Sequence, residues 1–100
     1  MSYEVKFPTE RLMKEFKINL SEVQPRKLQE NINERIKQLA ENPKPEGKSF
    51  KVLNPSLEVY HYVAHYRLRV GDYRILYDID EQHKTVWIFA LRRRSEKTYR

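Results

Sequence analysis

Hydrophobic and polar residues alternate at the start of the chain, which is the pattern of a half-buried strand. The apolar positions of this stretch are Tyr3, Val5 and Phe7. Thr9 then lies where its side-chain oxygen can cap a helix, and we expect this helix to span about residues 10–19. Leu12 and Phe16 would form its apolar face. The first elements predicted are therefore a strand and an amphipathic helix.

A second and clearer helical pattern follows within residues 21–42. Its apolar residues recur every three or four positions and form one stripe, made of Leu28, Ile32, Ile36 and Leu39. The sequence leaves two starts open for this helix. Ser21 with Gln24 forms a capping-box pattern, whereas Pro25 suits the first position of a helix. Pro43 ends it, because proline disfavours helical geometry in the residue before it.

Proline and glycine interrupt the pattern after the helices. Residues 42–56 contain three of the five prolines and one of the two glycines, so we expect a surface loop there. From about Leu57 to Val70 the period changes to two, which predicts a strand. Its core-facing positions are Tyr60, Tyr62, Ala64, Tyr66, Leu68 and Val70. Gly71 and Asp72 then turn the chain back.

Two more strands complete the predicted fold. Residues 73–79 alternate, with the apolar positions Tyr73, Ile75, Tyr77 and Ile79. After a turn, residues 85–91 are apolar at both parities, as in a central strand, and include the core residues Trp87 and Phe89. The predicted order is strand, helix, helix and a three-strand antiparallel meander (β-α-α-β-β-β), an α+β fold. A chain of this length suits a single domain over residues 1–100.

Composition excludes several classes of protein. Cysteine is absent, so disulfides and thiolate metal sites are ruled out. The N-terminal residues lack the apolar core of a signal peptide. The longest apolar run, from Val86 to Leu91, is too short to span a bilayer. We therefore expect a cytoplasmic protein without a membrane partner.

Positive charge is concentrated in the C-terminal third of the chain. The net charge is +6, and the basic residues of this region include Arg67, Arg69, Arg74, Arg92, Arg93, Arg94, Lys97 and Arg100. Arg67 and Arg69 are two positions apart on one strand and project from the same face. Arg74 lies just across the tight turn and would reach the same patch if the turn is short, which depends on the register of the two strands. Such a cluster predicts a site for a polyanion.

Two sequence patterns resemble the RelE/ParE superfamily of bacterial and archaeal toxins. One is R-x-R-V-G-x-Y-R-I-x-Y at residues 67–77, and the other is the arginine-to-tyrosine pattern at residues 92–99. The similarity covers the whole chain and is closer to RelE-type mRNA interferases than to ParE. It implies a toxin of a type II toxin–antitoxin system that enters the A site of the 70S ribosome. There it would cleave mRNA by attack of a 2′-hydroxyl on the scissile phosphate.

The resemblance also implies partners and site residues. A cognate antitoxin protein would cover part of the basic face, and no cofactor or metal would be needed. The implied catalytic residues are Arg74, which contacts the scissile phosphate, Arg67, Tyr99 and the tail arginine, which falls on Arg94 or Arg93. RNA binding is expected of Arg69 from the resemblance, of Arg92, Arg93 and Lys97 from the clustered charge, and of His65 because it shares strand parity with Arg67.

The sequence does not identify the general base that would take the proton of the 2′-hydroxyl. RelE has lysines at the two strand positions, but Arg67 and Arg69 keep their protons and suit phosphate binding instead. Tyr99, among arginines, is one candidate for a base or a stacking platform. His65 shares strand parity with Arg67 and is the second, because an imidazole titrates near neutrality. The three histidines are not expected to bind a metal, since His61 and His65 are roughly 13 Å apart along a strand.

Three alternatives stay open on the sequence alone. In the first, the arginines have no specific ligand, and their guanidinium groups are solvated or pair with nearby acids such as Asp72, Asp78 and Glu58. A ParE-type toxin would use the same fold to inhibit DNA gyrase by protein binding. A non-catalytic module would bind RNA or a partner without cleaving it. The arginine cluster with Tyr99 favours the nuclease, because a gyrase inhibitor has no need of a phosphate-cleaving site.

Overall fold

The computed structural model describes residues 2–93, which form two helices and a five-stranded mixed sheet. The elements are β1 (Glu4–Lys6), α1 (Glu10–Ser21), α2 (Arg26–Leu39), β2 (Phe50–Val59), β3 (Tyr62–Val70), β4 (Tyr73–Asp80) and β5 (Thr85–Arg93). The order across the sheet is β1-β5-β4-β3-β2, and β1 runs parallel to β5 while the other pairs are antiparallel. The predicted α+β class is confirmed. Neither helix within residues 2–93 is long and apolar enough to cross a membrane.

The two helices begin where local hydrogen bonding favours them. Thr9 Oγ1 accepts a hydrogen bond from the Leu12 amide at 3.1 Å, so the predicted cap of α1 is confirmed. Ser21 is the last residue of α1 and forms no cap for α2. Instead Pro25 directly precedes α2, and its carbonyl accepts from the Leu28 amide at 2.9 Å. Of the two predicted starts, the structure therefore agrees better with the proline.

The loop predicted over residues 42–56 is wrong from Phe50 onward, because β2 begins there. This strand pairs with β3 on both sides of an irregularity between Val52 and Leu57. Pro55 lies within that interval, where the missing amide hydrogen is tolerated because regular pairing is interrupted. The loop-like composition thus belongs to an interrupted edge strand.

The single strand predicted from Leu57 to Val70 is in fact two strands. Val59 and Tyr62 are paired residues, so the connection between β2 and β3 has only two residues. Tyr60 adopts a left-handed conformation in this turn, with φ of 57°. The prediction that Tyr60 faces the core is therefore wrong, and its side chain is exposed. The fold consequently has one strand more than predicted.

Two apolar clusters lie on opposite faces of the sheet. The larger packs the helices against the sheet and contains Phe16, Val23, Ile32, Leu39, Leu68, Val70, Ile75, Tyr77, Val86, Ile88 and Leu91. The smaller contains Val59, Ala64, Leu76 and Phe89, with Tyr62 and Trp87 packed against it. Tyr66 and Tyr73 pack on the larger cluster as predicted. Tyr62 and Ala64 pack in apolar contacts as well, but the prediction that they share the face of Tyr66 is wrong, because they belong to the smaller cluster. β5 lies between β1 and β4, as predicted for an internal strand.

A buried tyrosine makes the stability of this core sensitive to alkaline pH. The Tyr77 hydroxyl donates to the Pro43 carbonyl at 2.7 Å, and burial raises the pKa of Tyr77 far above its usual range. The folded state thus favours the neutral phenol, so its contribution is complete below the ordinary tyrosine pKa and declines as the pH rises above about 10. We expect Tyr77→Phe to lower the free energy of unfolding by about 1 kcal/mol at neutral pH.

Urea unfolding across this pH range checks the expectation. The stability of Tyr77→Phe should fall less steeply above about pH 10 than that of the wild type. Tyr73→Phe retains the buried phenol and should keep the wild-type alkaline loss. Equal alkaline losses in Tyr77→Phe and the wild type would contradict this account.

Candidate nucleic-acid interface

The helices cover one face of the sheet, and basic residues occupy the other. Leu68, Ile75 and Tyr77 face the helices, so Arg67, Arg69 and the other alternate positions of β3 and β4 lie on the opposite side. We call this surface the arginine face. Cross-strand pairing places on it Lys51, His65, Arg67, Arg69, Arg74, Leu76, Asp78, Trp87, Ala90 and Arg92.

Three arginines lie side by side across the arginine face. Arg69 on β3 is directly opposite Arg74 on β4, which is directly opposite Arg92 on β5. The two-residue turn between Val70 and Tyr73 fixes this register, so the predicted convergence of Arg74 on the patch is confirmed. We call these three residues the arginine row. Like charges directly opposite each other destabilise a sheet, and such a row is typical of a surface that binds an anion.

The Gly71 backbone allows this turn. Gly71 has φ of +59°, and an added Cβ atom would lie 2.9 Å from Leu28 Cδ1 on α2. Glycine adopts this positive φ without strain, and its lack of a Cβ atom leaves room for the Leu28 side chain. The hairpin that carries Arg69 and Arg74 is thereby held against the helices.

A second row of the arginine face contains Lys51, Arg67, Leu76 and Ala90, each opposite the next. Arg67 is buried, with only 8% of its surface exposed. Lys51 is exposed and was missed because residues 42–56 were interpreted as a loop. The flanking apolar residues Phe50 and Val52 were the one local signal of an alternating strand. The basic surface is therefore one strand wider than the sequence indicates.

Arg69 carries a buried N–H group that can donate a hydrogen bond to a ligand. Its Nε is shielded from solvent and has no hydrogen-bond partner among residues 2–93. Buried N–H groups are nearly always paired in folded proteins, so an arriving phosphate oxygen would satisfy this one. Asp78 is one of the acids proposed to pair with the arginines. In the structure its Oδ1 atom lies 3.2 Å from His65 Nδ1.

Aromatic side chains border the basic surface. His65, Asp78 and Trp87 follow the second row, and Trp87 is directly opposite Asp78. Beside them is a groove of about 530 Å³ whose lining includes Tyr62, Trp87 and Phe89. The Tyr62 and Phe89 rings are stacked with centroids 5.3 Å apart. The aromatic rings offer surfaces on which RNA bases can stack, but Asp78, Asp80 and Glu81 also line this groove and disfavour a polyanion within it.

A different groove, of about 430 Å³, lies between α1 and the end of β5. Its lining combines Arg92 with the acidic residues Glu15 and Glu22. The Tyr60 hydroxyl donates to Glu15, 2.7 Å from Oε1, and this bond raises the pKa of Tyr60. These carboxylates make this groove less favourable for a polyanion than the arginine face.

The structure thus brings together most of the residues implied by the sequence. Arg67, Arg69, Arg74, Arg92 and His65 share the arginine face. Arg93 does not, since it pairs with Tyr73 and alternation directs it to the other side of β5. The predicted site residues of the tail, Arg94, Lys97 and Tyr99, lie outside the described residues.

Three solved structures resemble the chain over nearly its full length. A chain of the archaeal RelE–RelB complex from Pyrococcus horikoshii OT3 is 26% identical, with a TM-score of 0.68, covering 96% of this chain and 99% of that one. A chain of the RelBE2 toxin–antitoxin complex from Mycobacterium tuberculosis is 24% identical, with a TM-score of 0.64, covering 96% and 95%. A mutant of E. coli toxin RelE in the free state is 15% identical, with a TM-score of 0.53, covering 99% and 90%.

Sequence comparison gives the family. No curated protein matches the chain. Residues 9–98 match the family described as the ParE toxin of type II toxin–antitoxin system, parDE. The match spans most of the sequence, including the hairpin of Arg69 and Arg74, and agrees with the RelE-like fold of the solved relatives. The chain therefore belongs to the ParE toxin family, within the RelE/ParE superfamily of type II toxin–antitoxin toxins.

Proposed function

We propose that this toxin is a ribosome-dependent endoribonuclease that cleaves mRNA in the A site and so inhibits translation. The arginine row is the observation that carries the proposal. Three arginines at paired positions of neighbouring strands, with the buried Arg67 beside them, suit a backbone that carries one phosphate per nucleotide. The archaeal relative, at 26% identity, is a chain of a RelE–RelB complex.

The chemistry needs charge stabilisation more than a strong nucleophile. The 2′-hydroxyl attacks the adjacent phosphorus, and negative charge grows on the phosphate oxygens as the bond to O5′ breaks. Arg74, at the centre of the row, binds the scissile phosphate, and Arg69 and Arg67 hold its oxygens from β3. In this mechanism Arg94 and Tyr99 of the tail complete the site. No metal or cofactor takes part in the proposed reaction.

Orientation of the RNA comes from the ribosome in this proposal. Attack in line with the leaving oxygen requires a strained backbone, which free single-stranded RNA seldom adopts. We therefore expect the isolated protein to cleave naked RNA poorly, and we propose the cytoplasm as its location because translating ribosomes are there.

The cognate antitoxin is the second proposed partner. Two of the solved relatives are toxin–antitoxin complexes. A protein that neutralises this toxin must keep RNA from the arginine face, and acidic side chains over the arginine row would do so while relieving the repulsion within it.

Primer extension on a defined message in a purified translation system tests the function. We expect new 5′ ends within the A-site codon when ribosomes are present, and almost none when the same RNA is incubated with the protein alone. Intact message on stalled, programmed ribosomes, at toxin concentrations that stop growth, would contradict the proposal.

Inhibition of DNA gyrase is the second candidate, because the family that matches residues 9–98 is described as ParE. It predicts an intact message together with loss of DNA supercoiling by purified gyrase. The arginine row would then be a docking surface for protein or DNA. The two assays, run with one preparation of protein, separate the two functions.

A further inference from the structure

A histidine and a carboxylate face each other at the border of the basic surface. His65 Nδ1 lies 3.2 Å from Asp78 Oδ1, across β3 and β4. Because a carboxylate accepts hydrogen bonds, this contact places the imidazole proton on Nδ1 and leaves the lone pair on Nε2. About half of the His65 side chain is exposed. Nε2 is therefore the ring nitrogen available to a substrate.

The position of this pair relative to the arginines suits proton transfer. His65 is two residues before Arg67 on the same face of β3, about 7 Å along the strand. A phosphate held by Arg67 would bring the adjoining ribose close to the imidazole. Among the described residues of the arginine face, the arginines and Lys51 carry protons at neutral pH, and Asp78 is engaged with His65.

We propose that His65 is the general base of the cleavage reaction and that Asp78 is its positioning residue. The proposal rests on the endoribonuclease function proposed above and assigns its missing proton acceptor. Nε2 takes the proton of the 2′-hydroxyl while O2′ forms a bond to phosphorus and the bond from phosphorus to O5′ breaks. The products are a 2′,3′-cyclic phosphate and a 5′-hydroxyl, whose oxygen takes a proton from water. Asp78 stabilises the imidazolium until it returns its proton to solvent.

Charged groups of both signs surround His65. Asp78 faces it from β4, Arg67 lies two residues further along β3, and Lys51 is opposite Arg67 on β2. β5 contributes the uncharged Trp87, opposite Asp78.

The chain offers a matched control with the same chemistry. His83 Nδ1 lies 2.8 Å from Asp80 Oδ2 near the turn that joins β4 and β5. Asp80 is about 20 Å along β4 from Arg74. If these histidine–aspartate contacts serve only folding, substitution of His65 and substitution of His83 should have similar effects on cleavage. If His65 is the catalytic base, only its substitution should slow cleavage.

The test is single-turnover cleavage of mRNA on programmed ribosomes between about pH 5.5 and 8.5. We expect His65→Ala and His65→Gln to slow cleavage at least about a hundredfold and to remove the acidic limb of the pH profile. Added imidazole should restore part of the rate to His65→Ala. Asp78→Asn should lower the maximal rate about tenfold without changing the half-saturating toxin concentration. His83→Ala should cleave like the wild type.

The outcomes separate this proposal from the function on which it rests. If the wild type cleaves and His65→Ala cleaves at the same rate with the same pH profile, His65 is not the base. The endoribonuclease function would remain supported in that case. Equal losses in His65→Ala and His83→Ala, without rescue by imidazole, would assign His65 a structural role and also overturn its assignment as the base. Failure of the wild type to cleave would overturn both proposals.

Discussion

Replacing Arg74 with alanine is expected to slow cleavage of ribosome-bound mRNA by about a hundredfold or more. Arg74 lies at the centre of the arginine row, directly between Arg69 and Arg92, so a phosphate bound there is within reach of all three residues. Removing one fixed donor to a developing negative charge costs about 10²–10³ in rate. The measurement is single-turnover primer extension with saturating toxin.

Arg74→Lys distinguishes charge from geometry. Lysine retains the positive charge but lacks the planar fork that binds two phosphate oxygens at once. We expect this variant to cleave roughly tenfold more slowly than the wild type, and faster than Arg74→Ala. Equal activity of the lysine variant and the wild type would mean that charge alone matters at this position.

The same substitution separates function from folding. Arg74 is opposite two other cations, so its removal relieves a repulsion while it removes any contacts of the side chain. We expect the free energy of unfolding of Arg74→Ala to stay within about 1 kcal/mol of the wild type. Arg26→Ala, at the exposed start of α2, is the matched control and should change neither cleavage nor stability. Wild-type cleavage by Arg74→Ala would exclude Arg74 from catalysis.

The sequence predicts the elements that have one buried face. Alternation located β3 and β4 because their apolar residues pack against the helices, and helical periodicity located α1 and α2 for the same reason. It missed the turn at Tyr60, since tyrosine seldom takes the left-handed conformation that joins β2 to β3. It also missed the first half of β2, whose interrupted pairing around Pro55 has the composition of a loop.

The site was predicted in part, and the reason lies in register. The shared face of Arg67 and Arg69 follows from alternation within one strand. The position of Arg92 opposite Arg74 depends on an irregularity in β5, where Tyr77 pairs with Ile88 but Leu76 pairs with Ala90. A one-residue shift exchanges the two faces of a strand, so sequence spacing could not show that Arg92 joins the row while Arg93 leaves it.

Binding of single-stranded RNA should fall about a hundredfold when salt is raised from about 50 to 200 mM. The arginine face presents five described cations, namely Lys51, Arg67, Arg69, Arg74 and Arg92. Each phosphate neutralised releases counterions, so the logarithm of the binding constant should fall with the logarithm of salt with a slope of about −3.5. Fluorescence anisotropy of a labelled, unstructured oligonucleotide gives this slope.

Single substitutions show whether these five cations carry the effect. Lys51→Ala and Arg69→Ala should each make the slope shallower by about 0.7, because each removes about one phosphate contact. Lys27→Ala on α2, on the helix side of the sheet, should leave it unchanged. A wild-type slope near zero would mean that the basic surface does not bind RNA. Equal changes for Lys27→Ala and Lys51→Ala would instead attribute binding to the net charge of +6 and not to the arginine face.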